Sequence, residues 1–386
     1  MTRILIALTY YYPHWTGLTA NAQNLAEGLA RRGHTVTVLT SRYRRDLPRE
    51  ERHRGVHIVR EPSWLRLSRG QVMPGFAGAV WRLLREHDLA LVFTPMLETW
   101  LVGALAHRAG KPMVMAHQGD LVMPRGAWNQ MVQRGMNWLL ERGARIADRI
   151  TILNRDYAEH SAYLRPHLDK VAAIYPPMDI PRPRPEAVRA WRRELGLEGR
   201  PVVGFAGRWV EEKGFDYLLQ AMPLVAEAIP GVALAFAGET NVAYEAFYER
   251  CRPLIEANAG RLHVLGLITD RQRLADYYAL CDLFVLPSRT DCFAVVQVEA
   301  MLCGTPVVAS DIPGAREPVR ATGMGLCVPS GDPRALAEGI VQVLRERERY
   351  CRPCAEIAAV FDPEETISAY ERLFDELLAG GGAGRG

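Results

Sequence analysis

The chain has 386 residues, 48% hydrophobic and 24% charged, with a formal net charge of +3. That composition excludes a disordered or fibrous chain, and the length exceeds one ordinary core, so two domains are expected. The apolar run Ile4–Leu8 is too short for a signal-peptide core and no apolar run approaches a membrane span, which points to a cytoplasmic protein.

Thr2–Leu8 reads as a strand buried on both faces, followed by a polar, aromatic loop, a helix over Ala20–Arg32 stopped by Gly33, and a strand at Val36–Thr40. Strand, helix, glycine, strand is a βαβ unit and implies a parallel sheet. The pattern recurs with helices at Phe76–Arg85 and Glu98–Arg108, a long helix through Trp138, and strands at Leu89–Phe93, Pro112–Ala116, Arg149–Asn154 and Val171–Ile174. Tyr175–Pro185 holds five prolines and reads as an extended connector.

The second half restarts the same architecture. Strands are expected at Val202–Gly207, Val232–Ala237, Leu262–Leu265, Leu283–Leu286, Val307–Ser310 and Leu326–Val328. Helices are expected at Phe215–Ala226, Ala243–Asn258, Arg273–Leu280, from about Phe293, at Pro333–Arg345 and at Pro363–Leu378. The fold class is therefore α/β, with two doubly wound Rossmann-like domains that bind ligand at the carboxyl ends of their strands. The division is 1–178 and 179–362, with helix 363–378 packing back on the first domain and a Gly-rich tail at 379–386.

Two stretches carry chemistry. In Gly207-Arg208-Trp-Val-Glu-Glu-Lys213-Gly214, two cations stand between a strand and a helix N-terminus, a good diphosphate site. In Thr290–Val319, Asp291 precedes a short apolar helix and Glu299 lies within it among valines and leucines. A carboxylate in such surroundings needs a partner, and the hydroxyls of a ribose fit. Eight helical residues separate the two carboxylates by about 12 Å, too far for an acid/base pair around one bond. No G-x-G-x-x-G occurs, which disfavours a dinucleotide dehydrogenase.

These stretches resemble the family 4 glycosyltransferases, which have the GT-B fold. Asp291-Cys-Phe293-Ala294-Val-Val-Gln-Val-Glu299-Ala-Met-Leu-Cys-Gly304-Thr305-Pro306 is similar to the family's E-x7-E segment. Arg208 and Lys213 match its GR…KG motif, Ala237-Gly238-Glu239 its VGxG and Leu265-Gly266-Leu267-Ile268 its LGxV turn; Tyr11-Tyr12-Pro13 and Arg32–Val36 resemble its opening. The resemblance implies a retaining hexosyl transfer from a UDP- or GDP-linked sugar to an acceptor hydroxyl, with no metal or other cofactor. It implies that Glu299 binds the donor ribose, that Arg208 and Lys213 after Gly207 hold the diphosphate, and that Phe293, Ala294 and Val295 offer backbone N–H groups to donor oxygens. Asp291 then contacts the donor sugar, Leu267 and Ile268 lie against the base with Gly238 nearby, and Gly17 lets the backbone approach the diphosphate. His117, with Asp120 beside it, matches a histidine placed near donor sugar and acceptor. The sequence departs from the pattern at Asp291 (usually Glu), Ala294 (usually Gly) and Leu18 (usually a second Gly). A nucleotide-sugar epimerase and a non-catalytic sugar-nucleotide binder remain alternatives on the same motifs.

Charge bears on the acceptor. Residues 1–178 hold 24 Lys+Arg against 14 Asp+Glu, and the remainder 23 against 30. The densest cluster is Arg42, Arg44, Arg45, Arg49, Arg52 and Arg54. With Trp64-Leu65, Trp128 and Trp138-Leu139-Leu140, it fits docking on the inner face of an anionic membrane to reach a lipid, although a glycan or soluble acceptor fits too. Nucleic acid is not expected, because no recognition helix or zinc finger accompanies the charge. The seven cysteines are too irregular for a disulfide framework, and Cys351-x-x-Cys354 lacks the further ligands of a metal site.

Overall fold

Ile4, Leu5, Ile6 and Ala7 are all fully buried, as a strand covered on both faces requires. The computed structural model describes residues 1–14, 16–67, 70–120, 127–242 and 245–380, without the side chains of 67 and 127–129. The chain divides into two compact units, Met1–Pro177 with Pro363–Gly386, and Met178–Asp362.

In the first unit the elements run β1 (Arg3–Ala7), α1 (Gly17–Arg31), β2 (Thr35–Arg42), β3 (Glu50–His53), β4 (Val56–Pro62), β5 (Leu65–Leu67), β6 (Gly70–Val72), α2 (Phe76–Leu84), β7 (Leu89–Thr94), α3 (Thr99–Arg108), β8 (Met113–His117), α4 (Ala127–Ile146), β9 (Arg149–Ile152), α5 (Arg155–His160) and β10 (Val171–Ala173). The sheet order is β10-β9-β8-β7-β1-β2-β4-β3, with β3 alone antiparallel to its neighbour; β5 and β6 form a separate hairpin. The second unit runs α6 (Pro185–Glu194), β11 (Val202–Ala206), α7 (Phe215–Ala228), β12 (Ala233–Ala237), α8 (Phe247–Arg250), α9 (Arg252–Ala257), β13 (Leu262–Gly266), α10 (Arg271–Leu280), β14 (Leu283–Leu286), α11 (Val295–Leu302), β15 (Val307–Ser310), α12 (Pro313–Thr322), β16 (Gly325–Val328), α13 (Pro333–Arg345), α14 (Arg347–Tyr350) and α15 (Cys354–Val360). The last helix, α16 (Pro363–Gly380), returns to the first unit. Its Ile367, Tyr370, Leu373 and Phe374 share a core with Leu25 and Leu29 of α1, and Arg32 pairs with both Glu364 and Glu371.

In the arginine-rich segment 42–54, Arg42 donates to the Leu47 and Arg45 carbonyls, Arg44 pairs with Asp46 and Arg54 with Glu27, while Arg44, Arg45, Arg49, Arg52 and Arg54 stay exposed. The expected helix over Ala243–Asn258 is two short helices, because Pro253 has no N–H to continue the first; residues 243 and 244 lie outside the described residues. After Ser310 the chain opens α12, with Pro313 at its first position, where a missing N–H costs nothing. The tail expected at 379–386 begins inside α16, and 381–386 lie outside the described residues.

Candidate functional site

The second sheet has the order β13-β12-β11-β14-β15-β16, and neighbouring strands in it pair in parallel. The chain walks outward from β11 to β13, then crosses back to β14 on the other side. Loops leaving the carboxyl ends of β11 and β14 therefore diverge, and a ligand crevice forms at this switch point. Close packing of those loops depends on glycine. A Cβ on Gly214 would lie 1.9 Å from the Pro287 carbonyl oxygen, and one on Gly238 would lie 1.8 Å from that of Gly207. Gly214 also has φ +65, a left-handed conformation that L side chains resist.

Lys213 and Asp291 meet at that switch. The Lys213 Nζ donates to Asp291 Oδ2 at 2.7 Å, with side-chain exposures of only 23% and 12%. Burial alone would lower the ammonium pKa; the Asp291 charge and hydrogen bond outweigh it and hold Lys213 above its ordinary value. Arg208, nearer the strand end, lies 3.2 Å from Glu212. One residue that sequence reasoning missed fixes this turn. Arg289 donates from its backbone to the Glu212 carbonyl, from its guanidinium to the Glu211 carbonyl and, as a fork, to both oxygens of Asp216 at 2.8 and 2.7 Å. Its partner lies 73 positions away, and nothing local in the sequence joins the two.

α11 begins at Val295, two residues past the expected start, after the buried Phe293 and Ala294. The Val295 N–H already bonds the Phe293 carbonyl at 3.0 Å, so a ligand oxygen there competes with that bond. Glu299 is half-buried, and among the described residues the one hydrogen-bond partner of its carboxylate is the hydroxyl of Tyr278, which donates to Oε2 at 2.8 Å. Burial raises its pKa; the Tyr278 bond and the Arg271 charge pull the other way without cancelling that rise. Tyr278 is itself fully buried, held from α10 while Thr305 donates to its carbonyl at 2.7 Å. Leu267 follows β13 with 67% of its surface exposed, Ile268 is half-buried beside it, and the Gly238 N–H bonds Gly266.

The first turn of α12 completes the arrangement. A Cβ on Gly314 would lie 1.9 Å from the Asp291 carbonyl oxygen. Gly314→Ala must displace the main chain of Asp291, whose side chain pairs with Lys213, so it is expected to cost about 2 kcal/mol of stability by overpacking and to lower turnover with it. Urea unfolding and initial rates on the same preparation check this.

Gly17 and His117 belong to the other unit. Gly17 opens α1, whose N-cap Thr16 forms a capping box with Thr19, and a Cβ at 17 would meet open space. His117 ends β8 with its side chain fully buried: Tyr163 Oη lies 2.6 Å from Nδ1 and Asp120 Oδ1 3.2 Å from Nε2. Ser161 donates to both Asp120 oxygens at 3.1 Å, and Asn21 of α1 bonds Gln118 at 2.6 Å. In this conformation Asp120, 29% exposed, faces outward and His117 stands behind it.

The structure thus brings Lys213 against Asp291, stacks Gly207 on Gly238 and holds Glu299 on the next helix. Two family models match: Glycosyltransferase Family 4 over residues 15–182 and Glycosyl transferases group 1 over residues 200–346. The chain belongs to the family 4 glycosyltransferases. It is 29% identical over 332 residues to a GDP-mannose-dependent alpha-(1-6)-phosphatidylinositol monomannoside mannosyltransferase of Mycolicibacterium smegmatis, covering 82% of this chain and 83% of that one. It is 32% identical over 271 residues to a D-inositol 3-phosphate glycosyltransferase of Segniliparus rotundus, covering 65% and 58%. Sucrose-phosphate synthase from Thermosynechococcus elongatus superposes with a TM-score of 0.76 at 21% identity, covering 98% of this chain and 100% of that one. The fold of this glycosyltransferase is GT-B, and its relatives' names favour a transferase over an epimerase or a silent binder.

Proposed function

We propose that this glycosyltransferase moves a hexosyl group from a nucleotide-diphosphate sugar to an acceptor hydroxyl, with retention at the anomeric carbon. The observation that carries the reading is the half-buried Glu299 carboxylate, with a single hydrogen bond among the described residues, on the helix that follows the Lys213–Asp291 pair. The two hydroxyls of a donor ribose complete Glu299. Lys213 and Arg208 face the diphosphate and stabilise the charge that grows there as the glycosidic bond breaks. The departing phosphate oxygen takes the acceptor proton on the same face, so these cations do the electrostatic work without a metal. Asp291, one methylene shorter than glutamate, is held by Lys213, and sharing that lysine with the diphosphate releases Asp291 towards the sugar.

Relatives named for GDP-mannose support that donor, and relatives named for phosphatidylinositol monomannoside and D-inositol 3-phosphate support an acceptor bearing an inositol phosphate. A lipid-borne acceptor brings the enzyme to a membrane surface peripherally, and no helix among the described residues is long and apolar enough to cross one. A thermal-shift panel of GDP, UDP, ADP and their sugars tests the donor. GDP-mannose is expected to raise the melting temperature most, by mass action on the folded state. No shift with any nucleotide would overturn the reading.

A further inference from the structure

The tryptophans are unevenly treated. In the second unit, Trp191 and Trp209 are 6% and 0% exposed; in the first, Trp81, Trp100 and Trp138 are 37%, 42% and 53% exposed. Each of these three stands on a different helix, and the helices are neighbours. α2 packs on α3, and α3 on α4. Glycines let α3 and α4 approach closely: a Cβ on Gly103 would lie 2.6 Å from Ile146, and one on Gly143 2.7 Å from Thr99. The inward faces of the layer are apolar, with Phe76, Val80, Val102 and Leu140 buried, so the tryptophans look outward.

Cations surround them. Arg82, Arg85, Arg108, Arg134, Arg142 and Arg145 are exposed on these helices or directly after them, against Glu86 and Glu141. Arg142 lies 3.9 Å over the Trp138 ring. Trp100, Trp138, Glu141, Arg142, Arg145 and Ile146 line one shallow recess, where Arg145 pairs with Glu141, and Trp81, Arg82, Arg85 and Glu86 line another.

From this we infer that the outer face of α2, α3 and α4 docks on an anionic lipid bilayer. An indole with an apolar body and one N–H belongs at the boundary between headgroups and acyl chains. The arginines pair with lipid phosphates, and their stems lie along the same boundary. A protein partner or a second copy would call for a contiguous apolar patch, whereas here single tryptophans alternate with guanidinium groups. The face deepens the lipid-acceptor reading above and rests on it for its purpose, while donor binding in the second unit is independent of it. Of the segments expected to touch a membrane, Trp64 and Leu65 are 80% and 57% exposed, Leu140 is buried in the core, and the Trp128 side chain lies outside the described residues.

Sedimentation of the full chain with phosphatidylcholine vesicles, with and without phosphatidylglycerol, tests the inference, alongside GDP-mannose thermal shifts on every variant. Wild type is expected to pellet with the anionic vesicles only and to be released by salt. Trp81→Ala/Trp100→Ala/Trp138→Ala is expected to partition about 10-fold less while keeping its donor-induced shift. If that variant fails to fold, Arg82→Glu/Arg85→Glu/Arg145→Glu, altered only at exposed positions, is expected to show the same loss. Equal pelleting on both vesicle types, unchanged pelleting of the variants, or self-association in place of vesicle binding would overturn it. Vesicle binding that fails while the donor still shifts the melting temperature would remove this face and leave the transferase reading intact.

Discussion

Glu299→Ala is expected to weaken nucleotide-sugar binding about 100-fold, because two hydroxyl bonds to a charged, half-buried carboxylate disappear together. Glu299→Gln keeps the shape and loses the charge, so a loss of about 10-fold is expected, the difference between charged and neutral hydrogen bonds. Titration calorimetry with GDP-mannose reads both. Stability moves the other way. Burial raises the Glu299 pKa, so the folded chain holds this proton more tightly than the unfolded one does. The charge therefore costs stability above the folded pKa, and that cost is relieved as pH falls through it. Donor binding needs the ionised form, so affinity should fall on acidification from a pH above the ordinary glutamate range. In Glu299→Gln that component of the pH dependence should vanish; an unchanged profile would remove Glu299 from the ribose.

Lys213→Ala is expected to lower kcat/KM about 1000-fold, at the upper end for losing one group that stabilises leaving-group charge. It also strands Asp291, whose side chain is only 12% exposed. Breaking a buried pair from one side costs about 3 kcal/mol, and chemical denaturation should show a loss of that order. Adding Asp291→Ala is expected to restore most of the stability and none of the activity. Recovery of activity in the double variant would mean that Lys213 acts only by restraining Asp291.

Strands of the second sheet were legible because parallel strands buried on both faces read as short apolar runs: Val202–Ala206, Leu283–Leu286 and Val307–Ser310 stand out unaided. Lys213 and Glu299 stood out as candidates because a cation before a helix and a carboxylate among valines each demand a partner. Their protein partners did not. Tyr278 lies 21 positions from Glu299 and Asp291 lies 78 from Lys213, distances that only the folded sheet closes. β3 was missed because Glu50–His53 is polar at every position on an edge strand and carries no apolar signal; β4 was missed although its Val56, Ile58 and Val59 are buried. The need for glycine at 314 was not legible either, because it comes from the main chain of Asp291 packed against it.

The most direct measurement is the stoichiometry of transfer: incubation with GDP-mannose and phosphatidylinositol in vesicles, counting free GDP against mannosylated lipid. One GDP per new glycoside is expected, with both lost in Glu299→Ala and in Lys213→Ala. Glycoside formed without GDP release, or formed undiminished by those two variants, would mean that the carboxyl end of the second sheet is not where the donor reacts.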